Sequence, residues 1–156
     1  MGAYITIPSK LVLQYMKDGD VFFFEKKSKL GIPDHLHICV VKGSGKEPFI
    51  FACCTSQENT MNRLIKKQKL SSETIVFMDK SSYPFLTDDT FVNCNSLFVI
   101  SEEEFASDYN NGLIKKREGL GLVHYSQIIN GILKSDLVEE EYKDMLSNIS
   151  LDDYQK

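Results

Sequence analysis

The chain has 156 residues, 42% of them hydrophobic and 26% charged, with a formal net charge of −4. A chain of this size and composition is expected to fold as a single domain over residues 1–150 with a frayed polar tail at 151–156, and it needs neither metal nor disulfides to bury a core. It has no run of about 18 apolar residues and no charged start followed by an apolar stretch, which argues against a membrane span or a secretory signal and for the cytoplasm.

Ser9 ahead of Lys10 to Lys17, with Asp18-Gly19 behind, reads as an N-cap, a short helix and a glycine stop. Val21 to Phe24 is aromatic, bounded by Gly19 and charges, and too brief for a buried helix, so a strand is predicted. Leu36 to Val41 is a second strand. The turn-like stretch Lys42 to Glu47 joins it to a third, Phe49 to Cys54, predicting an antiparallel hairpin. Met61, Leu64, Ile65 and Gln68 then recur at helical spacing, and Arg63, Lys66, Lys67 and Lys69 make that inserted helix basic. Thr74 to Met78 and Thr90 to Ile100 resume strand character around a turn rich in serine that holds Pro84. Ser101-Glu102-Glu103-Glu104 matches a capping box, and Asn111-Gly112 a stop. Ser126 to Lys134 and then Val138 to Ile149 carry apolar residues at helical spacing and close the chain. The predicted class is mainly β with α. It is a small antiparallel barrel or strongly bent sheet of five or six strands, with a short N-terminal helix, an inserted basic helix and C-terminal helices.

Charge is uneven. Residues 1–100 hold 12 Lys and Arg against 10 Asp and Glu, whereas residues 101–156 hold 6 against 12, so a nucleic acid would meet the first part. Cys39, Cys53, Cys54 and Cys94 lack C-x-x-C spacing and read as buried reduced thiols.

His35-Leu36-His37 places two imidazoles on one side of a strand, opposite Leu36, Ile38 and Val40. Metal-free RNA cleavage needs a base for the 2′-hydroxyl and an acid or cation for the leaving oxygen, and a histidine pair can supply both. Equally, His35 can end a strand against a turn and His37 can fill a semi-buried gap. H-x-H also offers two metal ligands, with His124 or a cysteine to complete a set. However, adjacent Cys53 and Cys54 diverge in a strand and no carboxylate stands at ligand spacing, so no metal or other cofactor is expected. Thr55-Ser56-Gln57 ends the third strand with groups that can hold a phosphate oxygen or simply satisfy the last backbone groups. Lys26 and Lys27, Arg63, Lys66 and Lys67 flank the hairpin and could follow a single-stranded backbone, with Tyr83 offering a stacking face in a segment, Tyr83 to Thr90, that could line the same groove, although Tyr83-Pro84-Phe85 could simply be a packed turn. A solvated helix face explains the cations equally well. No P-loop, G-x-S-x-G or dinucleotide fingerprint occurs.

The order Gly19-Asp20-Val21-Phe22, then His35 to Val41, then Phe51-Ala52-Cys53-Cys54-Thr55-Ser56, then Phe91 to Asn95 resembles the MazF/PemK toxin family. The segment Tyr83 to Val92 resembles a divergent PemK-like branch. The resemblance implies an SH3-like barrel, often a homodimer, that cleaves single-stranded RNA without metal and is restrained by an antitoxin protein. Thr55 falls on the family's catalytic threonine position, and Ser56 follows as that pattern expects. The family's arginine before the second strand is missing, since this stretch reads Ile32-Pro33-Asp34-His35. Either His35 and His37 take over the acid and cation roles, Lys26 or Lys27 reaches in, or the chain does not cut RNA. The expected function is therefore a toxin-like endoribonuclease of a toxin-antitoxin or phage-defence system. The alternative is a non-catalytic SH3-like barrel that binds a protein target or nucleic acid.

Overall fold

The computed structural model describes residues 9–25 and 35–149. Among these residues lie α1 (Ser9–Tyr15), β1 (Val21–Phe24), β2 (His35–Val41), β3 (Phe49–Thr55) and α2 (Glu58–Gln68). They are followed by β4 (Ile75–Met78), β5 (Thr90–Ile100), α3 (Glu102–Asn110), β6 (Ile114–Lys116), α4 (Leu122–Lys134) and α5 (Glu140–Ser147). The chain is a mixed α and β protein built on one antiparallel sheet in the order β4-β5-β3-β2-β1-β6. The predicted β2–β3 hairpin is present, with Ile38 opposite Ala52 and its turn closed by a bridge between Ser44 and Glu47 around Gly45 at φ +56. The expected barrel is not closed: among the described residues β4 and β6 are the two edges of the sheet, and each pairs on one side alone.

Both faces of the sheet are covered, which explains why β2 and β3 read as near-continuous apolar runs. On one face Ile38, Val40, Ile50, Ala52, Val92 and Cys94 pack with Tyr125, Ile128 and Ile132 of α4. The Tyr125 hydroxyl donates to the Val40 carbonyl at 2.9 Å and pins that helix to β2. On the other face Phe22, Phe24, Cys39, Phe49 and Phe51 pack with Val12 of α1 and Phe105 of α3. Period-2 alternation divides the two cores: Val21 belongs to the first, and Phe22 and Phe24 to the second.

The Gly19-Asp20 step joins three segments. Gly19, at φ +90, donates its amide to the Cys39 carbonyl at 2.7 Å and accepts from the Leu120 amide at 3.0 Å. Asp18 accepts from the Lys42 amide at 2.7 Å, and burial pushes its carboxyl above the ordinary value. The capping box at α3 is half realised, with Ser101 Oγ accepting from the Glu104 amide at 3.1 Å. Two features depart from the sequence reading. β6 was not expected, because only Ile114 of its three residues is apolar, and the strand exists by pairing Ile114 with Phe24 and Lys116 with Phe22. α4 begins at Leu122 rather than Ser126, with Gly121 at its N-cap; Leu122 and Val123 are exposed and add nothing to the buried stripe of Tyr125, Ile128, Ile129 and Ile132.

Candidate functional site

His35 opens β2, opposite Phe24 of β1, and Thr55 closes β3. Because β2 and β3 are antiparallel neighbours, the start of one lies beside the end of the other. His35, Thr55 and Ser56 accordingly line one open pocket of about 160 Å³, with Phe23 and Leu36 from the sheet and Phe85, Leu86, Thr87, Asp88 and Thr90 from the segment before and into β5. His35 is half-buried and Ser56 exposed. Thr55 Oγ1 accepts from the Gln57 amide at 3.2 Å, so it does satisfy a backbone group at the strand end. That contact uses a lone pair and leaves the hydroxyl proton available to a ligand.

The wall formed by residues 79–90 is tied down along its length. The Tyr83 hydroxyl accepts from the Gly121 amide at 2.9 Å and shares a 2.7 Å hydrogen bond with His124 Nδ1. Its ring stacks on Phe85 at 5.2 Å. Lys80 donates its amide to Asp89 at 2.9 Å, and Thr90 Oγ1 donates to the Asp88 carbonyl at 2.9 Å. Tyr83 was expected as a stacking face for RNA. Its hydroxyl locks this segment to the start of α4, as a packed turn would, and its half-buried ring lies against Phe85.

His37 is the larger correction. Its side chain points to the same face as His35, as alternation requires, but it is 1% exposed. Its ring lies 4.5 Å from Phe24, 6.5 Å from Phe51 and 6.1 Å from Phe98. Nδ1 is 3.0 Å from the His35 carbonyl, which can only accept, so this nitrogen carries the proton. Burial pushes the imidazole down to about 4, against the opposing pull of that hydrogen bond. His37 is therefore a neutral core residue at pH 7 and does not line the pocket.

The four cysteines are free thiols. Burial raises Cys39, Cys53 and Cys54 and pushes Cys94 up to about 12, so none is a ready thiolate. Among the described residues no group of three or more His, Cys, Asp or Glu side chains gathers in a way that could hold a metal ion. Arg63, Lys66 and Lys67 are exposed on α2, whose buried anchor is Met61, and none of the three lines the pocket. Lys26 and Lys27 lie outside the described residues.

Two further cavities adjoin the pocket. One, lined by Ser56, Glu58, Phe77, Asp88, Asp89 and Phe91, is acidic. The other, on the β6 side, is lined by Pro84, Phe85, Lys116, Arg117 and Glu118. Sequence reading overlooked Phe23 and the basic pair Lys116 and Arg117. The available signal was the run Lys115-Lys116-Arg117, which stands out in an otherwise acidic final third. No helix among the described residues is long and apolar enough to cross a membrane. No protein-family model matches the chain, and no curated protein is significantly similar to it.

Proposed function

We propose that the chain is a toxin-like, metal-independent endoribonuclease of the MazF/PemK type, an open variant of the SH3-like plan, acting on single-stranded RNA at the His35 pocket. The supporting observation is that His35, from one strand, and Thr55 and Ser56, from the end of its neighbour, line the same open pocket. In this reading His35 takes the proton of a 2′-hydroxyl. The 2′-oxygen bonds to phosphorus as the bond to the 5′-oxygen breaks, leaving a 2′,3′-cyclic phosphate. Thr55 and Ser56 donate to the non-bridging oxygens as charge builds there. The departing 5′-oxygen takes its proton from solvent, because His37 is sealed away from the pocket. A partner antitoxin and a homodimeric state belong to the same proposal. Purified protein should nick an unstructured RNA in EDTA and leave a cyclic phosphate, and His35→Ala should abolish the cut. RNA that stays intact over a range of sequences overturns the reading.

A second reading, a non-catalytic domain that binds a protein or nucleic acid, draws support from Asp88, an acidic residue of the pocket lining whose charge repels a phosphate. Growth arrest that survives His35→Ala, with no RNA cut, selects it.

A further inference from the structure

The pocket as described has an anion's hydroxyl donors but little positive charge. Of its lining residues only His35 can become a cation, and Asp88 opposes it. A polyanionic substrate needs cations nearby, and the cations of α2 line none of the three adjoining cavities.

The β6 side supplies them. Phe85 lines both the His35 pocket and the cavity that holds Lys116 and Arg117, so the two cavities share a wall. Phe23, another wall of the His35 pocket, carries the Arg117 guanidinium over its ring, with Cζ 5.8 Å from the centroid. Arg117 is also fixed at its backbone, where its amide donates to the Val21 carbonyl at 2.7 Å and prolongs the β1–β6 pairing. Nη1 donates to the Lys116 carbonyl at 3.3 Å. An arginine held over an aromatic ring by cation–π attraction has less freedom left to lose when it takes hold of a phosphate. Lys116 sits beside it, in a loose 3.8 Å ion pair with Asp20, and Glu118 is the single carboxylate of the cavity. Two cations thus line this cavity, with Glu118 in its wall and Asp20 paired to Lys116.

We propose that Lys116 and Arg117 form a phosphate-binding arm beside the His35 pocket, with Arg117 holding a backbone phosphate that flanks the scissile one. This rests on the ribonuclease reading above. The RNA path then runs from the His35 pocket past Phe85 toward β6, and not along α2. Arg117 is a substrate-holding residue and not a proton carrier, so its loss is expected to raise KM and leave kcat within about twofold.

The test uses the full chain and a short unstructured RNA, 2′-O-methylated so that it binds without being cut, over a series of salt concentrations. Arg117→Gln is expected to weaken binding about tenfold and to lower the slope of log affinity against log salt by about 0.7. Lys116→Gln is expected to lower the slope similarly and carries the test if Arg117→Gln proves unstable. Arg117→Lys restores the slope, while Arg63→Gln leaves affinity and slope as in the wild type. Wild-type affinity and slope in both Arg117→Gln and Lys116→Gln overturn the arm, and so does a weakened Arg117→Gln that keeps the full slope. If the wild type cuts the unmethylated RNA in either case, the ribonuclease reading survives. A wild type that neither binds nor cuts RNA overturns both.

Discussion

His37 offers the sharpest quantitative expectation. In the folded chain its imidazole titrates near 4 because burial disfavours the charged form, whereas an unperturbed histidine titrates near 6.5. Between these values the unfolded chain binds a proton that the folded chain refuses, so stability falls as pH falls. The contribution is fully present above pH 6.5 and lost on going down through pH 4. At about 1.4 kcal/mol per pH unit, the loss reaches roughly 1.4 kcal/mol at pH 5.5 and roughly 3 kcal/mol at pH 4. His37→Phe removes this titration while keeping a ring among Phe24, Phe51 and Phe98. It gives up one hydrogen bond, to the His35 carbonyl, and buries a more apolar group. Its stability at pH 7.5 should stay within about 1.5 kcal/mol of the wild type. Urea unfolding of both proteins at pH 7.5, 5.5 and 4 reads the difference. The gap between wild type and His37→Phe should shift by roughly 3 kcal/mol in favour of the variant from pH 7.5 to 4. Parallel acid losses in the two proteins would refute a sealed, neutral His37.

Other substitutions test the scaffold around the site. A Cβ at Gly131 of α4 would lie 2.8 Å from the Glu73 carbonyl oxygen and 2.9 Å from Cys94 Sγ. Crowding of about 1–3 kcal/mol then outweighs the helix gain of alanine, up to about 1 kcal/mol, and thermal unfolding of Gly131→Ala should show a lower Tm. Tyr83→Phe loses the bonds to Gly121 and His124 and should cost about 1–2 kcal/mol in chemical denaturation, with faster amide exchange at Gly121. Thr55→Val keeps the shape of the strand end but removes a donor from the pocket. It should lower kcat by about tenfold to a hundredfold in an RNA cleavage assay with the Tm little changed.

Much of the fold was legible because its signals are local. β1 and β5 occupy the expected residues, and β2 and β3 each gain one residue at the site end, where His35 and Thr55 join their strands. Helix α2 follows the spacing of Met61, Leu64 and Ile65. β6 was illegible because a short edge strand needs only a partner's free backbone, and Lys115 and Lys116 carry no strand signature of their own. Openness of the sheet is likewise a property of long-range pairing, invisible in any one segment.

The site divides the same way. Alternation placed His35 and His37 on a common face, opposite Leu36, Ile38 and Val40, and the structure has that arrangement. What covers a face is a matter of distant residues: Phe24, Phe51 and Phe98 close over His37, while His35, one pleat nearer the strand end, remains at an opening. Arg117 was missed for a related reason. It follows Leu36 by 81 positions in the chain and reaches the pocket wall only through the β1–β6 pairing that puts it over Phe23.

Of the two strand histidines, His35 alone is proposed to touch substrate. Cleavage of an unstructured RNA in EDTA should be compared for the wild type, His35→Ala and His37→Phe, each shown to be folded at pH 7.5. His35→Ala should lose about a hundredfold or more, and His37→Phe should cut within about threefold of the wild type. Activity that survives in His35→Ala, or that vanishes in a folded His37→Phe, contradicts that role for His35.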